Sequence, residues 1–570
     1  MYKLFYILLG FTFFSCSTPK TEVDLIMHHA KIYTVDSLFS VKEAMAIKDG
    51  KIIEVGNNEL ITSNYNSKQI IDLEGKSVYP GFIDAHCHFY GYGKGLSEAD
   101  LVGTTSFNDV LEKTLTYYKT RYLDGLPNDK AQIVKDNYWL IGRGWDQNDW
   151  NTKEFPTKEK LDSLFPDVPV FLKRIDGHAA LVNKKVLELV KFSNKTKILG
   201  GELILKNGEL TGVLVDNAVD SVEKLIPKAA SSFIKRALLE AEKKCVAMGL
   251  TTVDDAGLEK NIIDAIDQLQ KNNQLKMRVY AMLTPNQENL NYYLKNGKYK
   301  TDKLNVCSFK FYADGALGSR GACLLEDYAD KAAWKGFLLN NFAYFNKYAS
   351  EMDVNEFQMN THCIGDSAVR IMLMIHAANP IVFGDMDGKL FNSILKKRRW
   401  RIEHAQIVNK KDLEWIKAMS VIPSIQPTHA TSDMYWANDR LGKERIKTAY
   451  AYKDLLNAAG MVALGTDFPV EDISPFKTFY AAVFRKDSKG FPEKGFQMEN
   501  ALTREETLKG MTIWAAFSNF EEKEKGSLEK GKFADFIILD TDIMTCVEKQ
   551  ILKTKVLSTY INGEKVFELN

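Results

Sequence analysis

The 570-residue chain is 45% hydrophobic and 26% charged, and its 75 Lys and Arg against 74 Asp and Glu leave a formal net charge of +1. With no long single-sign run, this balance excludes a polyanion-binding surface and a nucleic-acid partner, and it directs attention to a small-molecule substrate. Length and composition fit a globular chain of two or three domains.

The first residues differ from the rest. Lys3 precedes the apolar run from Leu4 to Phe14, and Ser15-Cys16-Ser17 follows, the layout of a short secretory signal. The run is too short to span a bilayer comfortably. The Ser15-Cys16 junction resembles a bacterial lipoprotein box, which implies a signal peptide over 1–15, a lipidated Cys16 and a linker over 16–22. An acylated Cys16 would hold an exported protein on the periplasmic side of a bacterial cell envelope, at the membrane surface. A plainly cleaved signal is the alternative. The other six cysteines are scattered without a CxxC pair, which argues against a zinc ribbon or a disulfide scaffold.

Residues 23–80 read as short strands: Leu25 to Met27, Lys31 to Val35, Ala44 to Ile47, then an Asp49-Gly50 hairpin turn and Lys51 to Gly56. Similar pieces return from 523 to 570, with Phe533 to Asp540 and with Val556 to Phe567 folded about Asn562-Gly563. The two ends are expected to build one composite β-sandwich domain.

Between them, over 81–522, apolar runs with polar C-terminal ends alternate with amphipathic helices, the pattern of a parallel α/β fold. The strand-like runs are the one ending at His86, Thr251 to Asp255, Met277 to Leu283, Val306 to Asp314, Phe357 to His362, Trp400 to His404, Val421 to Gln426 and Val462 to Asp467. Eight of them imply a closed (β/α)8 TIM barrel. Phe233, Ala237, Leu238, Ala241, Cys245 and Val246 form one helical stripe ending near Gly249. A second helix is read from Glu444 to Ala459, stopped by Gly460. The stretch from about 90 to 245 is too long for one connection and is expected to hold a subdomain inserted after strand 1.

His86 and His88 stand two residues apart at the end of an apolar run, so a strand turns both imidazoles to one face. Barrel active sites lie at the C-terminal strand ends. Candidate ligands recur there: His86 and His88 on strand 1, Lys310 on strand 4, His362 on strand 5, His404 on strand 6 and Asp467 on strand 8. Four of only nine histidines at such positions is more than core packing accounts for. His28, His29 and His376 read as structural or exposed.

These passages, with Pro80 to His88, Arg174 to His178, Lys310 to Arg320, His362 to Asp366, Arg401 to His404 and Gly465 to Pro469, resemble the amidohydrolase superfamily and specifically its YtcJ-like, amidohydrolase-3 branch. The likeness covers nearly the whole mature chain. It implies a metal-dependent hydrolase with one or two Zn2+ per chain, Mn2+ or Fe2+ being alternatives. It also implies a carboxylated Lys310, whose carbamate bridges two ions; the alternative is a lysine that only supports its loop, with one metal. The expected reaction is hydrolysis of a linear amide or N-substituted formamide by metal-activated water, with Asp467 as base and then acid. His178 is expected to hydrogen-bond the substrate carbonyl or its oxyanion. Asp146, Asp314, Arg320 and His429 are expected at the substrate, Asp314 and Arg320 in a flexible loop beside Lys310. A deaminase or cyclic-amide hydrolase on the same barrel is the alternative among enzymes, and a lipid-anchored binding protein the alternative outside them. Self-association into a homo-oligomer is left open.

Overall fold

The eight apolar runs form parallel strands β1 (Phe82–Cys87), β2 (Leu250–Leu258), β3 (Arg278–Leu283), β4 (Leu304–Tyr312), β5 (Gln358–Cys363), β6 (Arg401–His404), β7 (Ile422–Ile425) and β8 (Ala463–Leu464). Each is hydrogen-bonded to the next in chain order. These strands belong to a computed structural model that describes residues 20–123, 138–378, 393 and 395–569. The signal segment and Cys16 lie outside the described residues. Strand residues are buried on both faces, because side chains fill the barrel inside and helices cover it outside. That is why β3 reads as a largely apolar run, while β2, β5 and β6 carry buried polar and charged residues among the apolar ones.

The seam between β8 and β1 has no regular ladder among the described residues; three local links span it instead. The Asp467 N–H donates to the His86 carbonyl at 2.8 Å and the His88 N–H to the Phe468 carbonyl at 2.8 Å. The third link is Asp84 of β1, whose carboxylate accepts from the Thr466 N–H at 3.0 Å and the Thr466 hydroxyl at 2.6 Å. Gly465 makes the approach possible, since a Cβ there would stand 2.4 Å from the His86 backbone nitrogen.

Two helices flank the insertion. Helix α1 (Phe89–Gly95) follows β1 and α2 (Ser231–Ala247) leads into β2. The buried stripe of α2, Ile234, Leu238, Ala241 and Cys245, shares the barrel's apolar cluster. The inserted unit is therefore narrower than 90–245. Its six-stranded sheet runs in the order Ala99–Asp100, Leu140–Trp145, Val170–Arg174, Ala179–Val182, Glu209–Asp216, Gly201–Lys206, and it carries its own two apolar clusters.

Where the sequence suggests one helix from Glu444 to Ala459, the chain breaks. Helix α3 (Pro427–Asp433) and α4 (Ala437–Arg445) are followed by a short 3-10 turn and then α5 (Tyr452–Ala459). The break falls at Tyr450, which has φ of 56°. Its N–H is drawn away to the Gln406 carbonyl at 2.7 Å, so a tertiary bond replaces the helical one. Gly460 does end α5, in a left-handed conformation.

The chain termini form two larger sheets, beside a two-stranded pair of Thr21–Glu22 with Tyr65–Asn66. One orders Lys51–Gly56, Ala44–Lys48, Leu25–His28 and Ile70–Asp72; the other orders Glu564–Glu568, Val556–Ile561, Phe536–Leu539, Ser77–Pro80, Lys31–Tyr33 and Val41–Lys42. Ile537 pairs with Tyr79 across the two ends of the sequence. Leu25, Met27, Ile32, Met45, Phe536 and Ile538 share one buried cluster. Asp535 joins this unit to the barrel through a buried two-pronged pair with Arg278 of β3, at 2.6 and 3.0 Å.

Candidate metal centre

His86, at the end of β1, is fully buried, and its Nδ1–H donates to Glu403 of β6 at 2.5 Å. Nε2 therefore carries the lone pair. The Nδ1–H of His88 donates to the Ala256 carbonyl at 3.0 Å and that of His404 to Gln426 Oε1 at 2.7 Å, which presents Nε2 in both cases. Such hydrogen bonds on the far ring nitrogen are what fix a ligating histidine's tautomer. The His404 ring lies 4.8 Å from His86 and 4.5 Å from His362. Lys310, from β4, donates from Nζ to His86 Nε2 at 2.9 Å. Asp467 Oδ1 stands 3.3 Å from His88 Nε2 and 3.8 Å from His86 Nε2.

Two of these side chains depend on an unusual backbone. Strand alternation would put Glu403 and His404 on opposite faces. Both reach the centre because His404 has φ of 70° and Ala405 φ of 42°. Asp467 has φ of 62°. Left-handed backbone at non-glycine residues costs energy and gathers at functional sites.

The electrostatics suit a cation. Burial, with Lys310 beside it, lowers His86 to about 4, and burial with neighbouring positive groups lowers His362 and His404 well below 6.5. All three are neutral at pH 7, the form that coordinates metal. Burial lowers Lys310 from 10.5 to about 8. Burial by itself would raise Glu403, but Arg401 and His86 outweigh it and hold the carboxyl at about 2. Against the same opposition, the neighbouring imidazoles of His88, His86 and His404 hold Asp467 well below 3.8.

A divalent ion fits this donor set. The ligating atoms of His86, His404 and Asp467 lie within 4.8 Å of one another, all buried. Asp467 Oδ1 and His362 Nε2 are buried with no hydrogen-bond partner. An unpaired buried lone pair is costly, and a cation beside Asp467 Oδ1 relieves the cost. His28, His29 and Asp72 form a second His/Asp group at the surface of the terminal sheets.

A cavity of about 800 Å³ opens over the centre, lined by His88, Lys310, His362, His404 and Asp467 from the barrel and by Arg143, Asp146 and His178 from the insertion. His429, from α3, lines it too, its Nε2 3.5 Å from Asp467 Oδ2. The His178 ring lies 4.8 Å from that of His362, tilted by 42°. Asp146 lines the wall but is engaged by Arg174.

Asp314 and Arg320 do not line the cavity, which corrects the expectation that they meet substrate, although Asp314 Oδ1 stands 3.7 Å from His362 Nε2. Asp314 is fully buried and accepts from the Ile364, Gly365 and Cys323 N–H groups at 2.8 to 3.0 Å. Arg320 pairs with Asp330 at 2.8 Å. Their segment is held down by these bonds. Trp145 is core, its indole N–H bonded to the Leu172 carbonyl at 2.7 Å.

Sequence reasoning missed the residues that hold the ligands. Glu403 and Gln426 orient His86 and His404, and Asp216 accepts from His178 Nδ1–H at 2.7 Å. Only Glu403 left a signal, as a charged residue inside an apolar run. Arg401 supports it, with Nε 2.7 Å from Glu403 Oε1 and Nη1 2.9 Å from Asp254 Oδ2.

Known proteins resemble the chain over most of its length. A family model described as the Amidohydrolase family matches residues 69–567. The chain belongs to that family. It is 30% identical over 552 residues to the Bacillus subtilis (strain 168) protein named as amidohydrolase YtcJ, covering 95% of this chain and 99% of that one. It is 23% identical to the N-substituted formamide deformylase of Arthrobacter pascens, over 96% and 98% of the two chains. A crystal structure of an uncharacterized metal-dependent hydrolase from Pyrococcus horikoshii superposes with a TM-score of 0.71 at 26% identity, covering 92% of this chain and 99% of that one. The family member described here is thus a metal-dependent hydrolase of carbon–nitrogen bonds other than peptide bonds.

Proposed function

We propose that this amidohydrolase cleaves a linear amide of the N-substituted formamide type. His86, His88, Lys310, His362, His404 and Asp467 would hold one or two Zn2+ ions. When bound, the metal supplies Lewis acidity to the carbonyl and lowers the pKa of water. The observation that carries the reading is the convergence of three Nε2 edges with an anionic Asp467 on the wall of a cavity of about 800 Å³. That volume accommodates a small organic substrate.

Asp467 takes the proton of the attacking water on its carboxylate and returns it to the leaving nitrogen. His178 faces the substrate from the insertion; with Nδ1–H given to Asp216, its neutral ring offers Nε2 as an acceptor to the substrate N–H. Lys310, as a carbamate, would offer anionic oxygen ligands to the metal. Its lowered pKa supports this, because the neutral amine is the form that takes up carbon dioxide. The full-length similarity to an N-substituted formamide deformylase supports the substrate class.

The test is hydrolysis of N-alkyl and N-benzyl formamides and simple acetamides by the purified protein. Activity is expected to vanish after chelation and to return with Zn2+. A zinc-loaded protein that turns over none of them, yet deaminates a purine or opens a cyclic amide, sinks the proposal. One ion per chain without a carbamate would overturn the role given to Lys310.

A further inference from the structure

His178 enters the cavity from a loop, on the turn between strands Val170–Arg174 and Ala179–Val182 of the insertion. A histidine so placed needs something to set its ring. Asp216, at the end of strand Glu209–Asp216, supplies it. Its carboxylate is buried and accepts from His178 Nδ1–H at 2.7 Å, while the Asp216 N–H donates to the His178 carbonyl at 2.8 Å. Both ends of His178 are thereby tied to one residue.

The surroundings show that Asp216 is held there against several local costs. Its backbone lies at φ 51° and ψ −122°, a conformation that L residues rarely adopt. Its second oxygen, Oδ2, is buried with no hydrogen-bond partner. That oxygen rests against the segment after β4, at two glycines. A Cβ at Gly315 would stand 2.2 Å from Asp216 Oδ2, and one at Gly321 2.3 Å. The insertion and the barrel loop therefore meet at this carboxylate, with glycine at both contact points. A carboxylate that served only to complete a fold would not need strain, an unpaired oxygen and two bare Cα atoms to reach one imidazole. An inward-facing histidine gives these features a purpose.

We infer that Asp216 is a positioning residue of the reaction: it fixes the proton of His178 on Nδ1 and turns the Nε2 edge to the substrate, above His362. This rests on the proposed amide hydrolysis for its kinetic meaning, while the tautomer itself does not. A carboxylate only accepts hydrogen bonds, so it enforces Nδ1–H. An amide in its place can turn its NH2 toward Nδ1 and move the proton to Nε2, the wrong-tautomer situation known from histidine–aspartate pairs in hydrolases.

The experiment compares wild type, Asp216→Asn, His178→Ala and the double variant, each zinc-loaded and with metal content measured. Asp216→Asn is expected to lower kcat about 10- to 100-fold at unchanged metal content, with KM shifted far less. The double variant should be no worse than His178→Ala, because Asp216 acts only through that ring. Wild-type kcat in Asp216→Asn, or independent losses that multiply in the double variant, would overturn the inference. In parallel, 15N imidazole spectra, with His178 assigned by its loss in His178→Ala, should show Nδ1–H in wild type and a change in Asp216→Asn. If wild type hydrolyses no amide, the proposed function fails while the spectra still decide the tautomer. An Nε2–H tautomer in wild type overturns the inference whatever the activity.

Discussion

The ligand histidines owe their directions to neighbours that never touch a metal. Glu403 is the most consequential of these, because it binds His86 at 2.5 Å and is itself gripped by Arg401. Replacing it with Gln keeps the volume but removes the charge that makes His86 a stronger donor and fixes its tautomer. Metal affinity of Glu403→Gln is expected to fall about 10- to 100-fold, read by competition with a chromophoric chelator. Wild-type affinity would mean that the contact is incidental. The same residue shows why the site is only partly legible in a sequence. The ligands stand at strand ends, where an apolar run stops, and that pattern is visible in one dimension. Glu403 sits beside His404, where alternation predicts the opposite face, and only the φ of 70° at His404 brings both inward. Asp216 lies 38 residues from the histidine it holds, in a strand whose partners no local rule reveals.

Strands and turns were legible for a different reason. Buried parallel strands favour apolar residues, as in β3, and Asp49-Gly50 and Asn562-Gly563 name their hairpins through their backbone freedom. The helix read from 444 to 459 failed because its periodicity is local, while the bond from Tyr450 to Gln406 that breaks it is not. The joining of the two chain ends turns on such a distant contact as well. Asp542, from the C-terminal segment, accepts from Lys31 Nζ at 2.5 Å, Tyr33 at 3.0 Å and Tyr79 at 2.9 Å, all from the N-terminal segment. Burial opposes its ionisation, but Lys31, Thr545 and Tyr79 hold the carboxyl below 3.8. A depressed folded-state pKa contributes stability that is complete above the unfolded value and is lost as pH falls through the folded one. Asp542→Asn is therefore expected to lower the urea midpoint at pH 7 by the equivalent of about 1–3 kcal/mol. The difference from wild type should shrink as pH falls below 3.8. A difference that is constant from pH 7 to pH 3 would show that charge plays no part.

At the scale of the whole molecule, the centre occupies the weakest joint of the barrel. Strand β8 is only Ala463–Leu464, and the seam to β1 is carried by Asp84, the Asp467 N–H and the His88 N–H rather than by a ladder. His86 and His88 stand on one side of that seam and Asp467 on the other, with His362 and His404 completing the ring from β5 and β6. An ion held by all of them would close the barrel as well as serve the reaction. Its binding energy then adds to folding, about 2.7 kcal/mol at a hundredfold excess over Kd. Zinc added to chelator-treated protein is expected to raise the thermal midpoint, and to slow hydrogen exchange at the Asp467 and His88 amides more than at strands β2 and β3 on the far side. In His404→Ala both effects should be lost together, because one ligand is missing while the seam contacts are intact. Stabilisation that persists in His404→Ala, or protection spread evenly around the barrel, would place the ion's effect somewhere other than this joint.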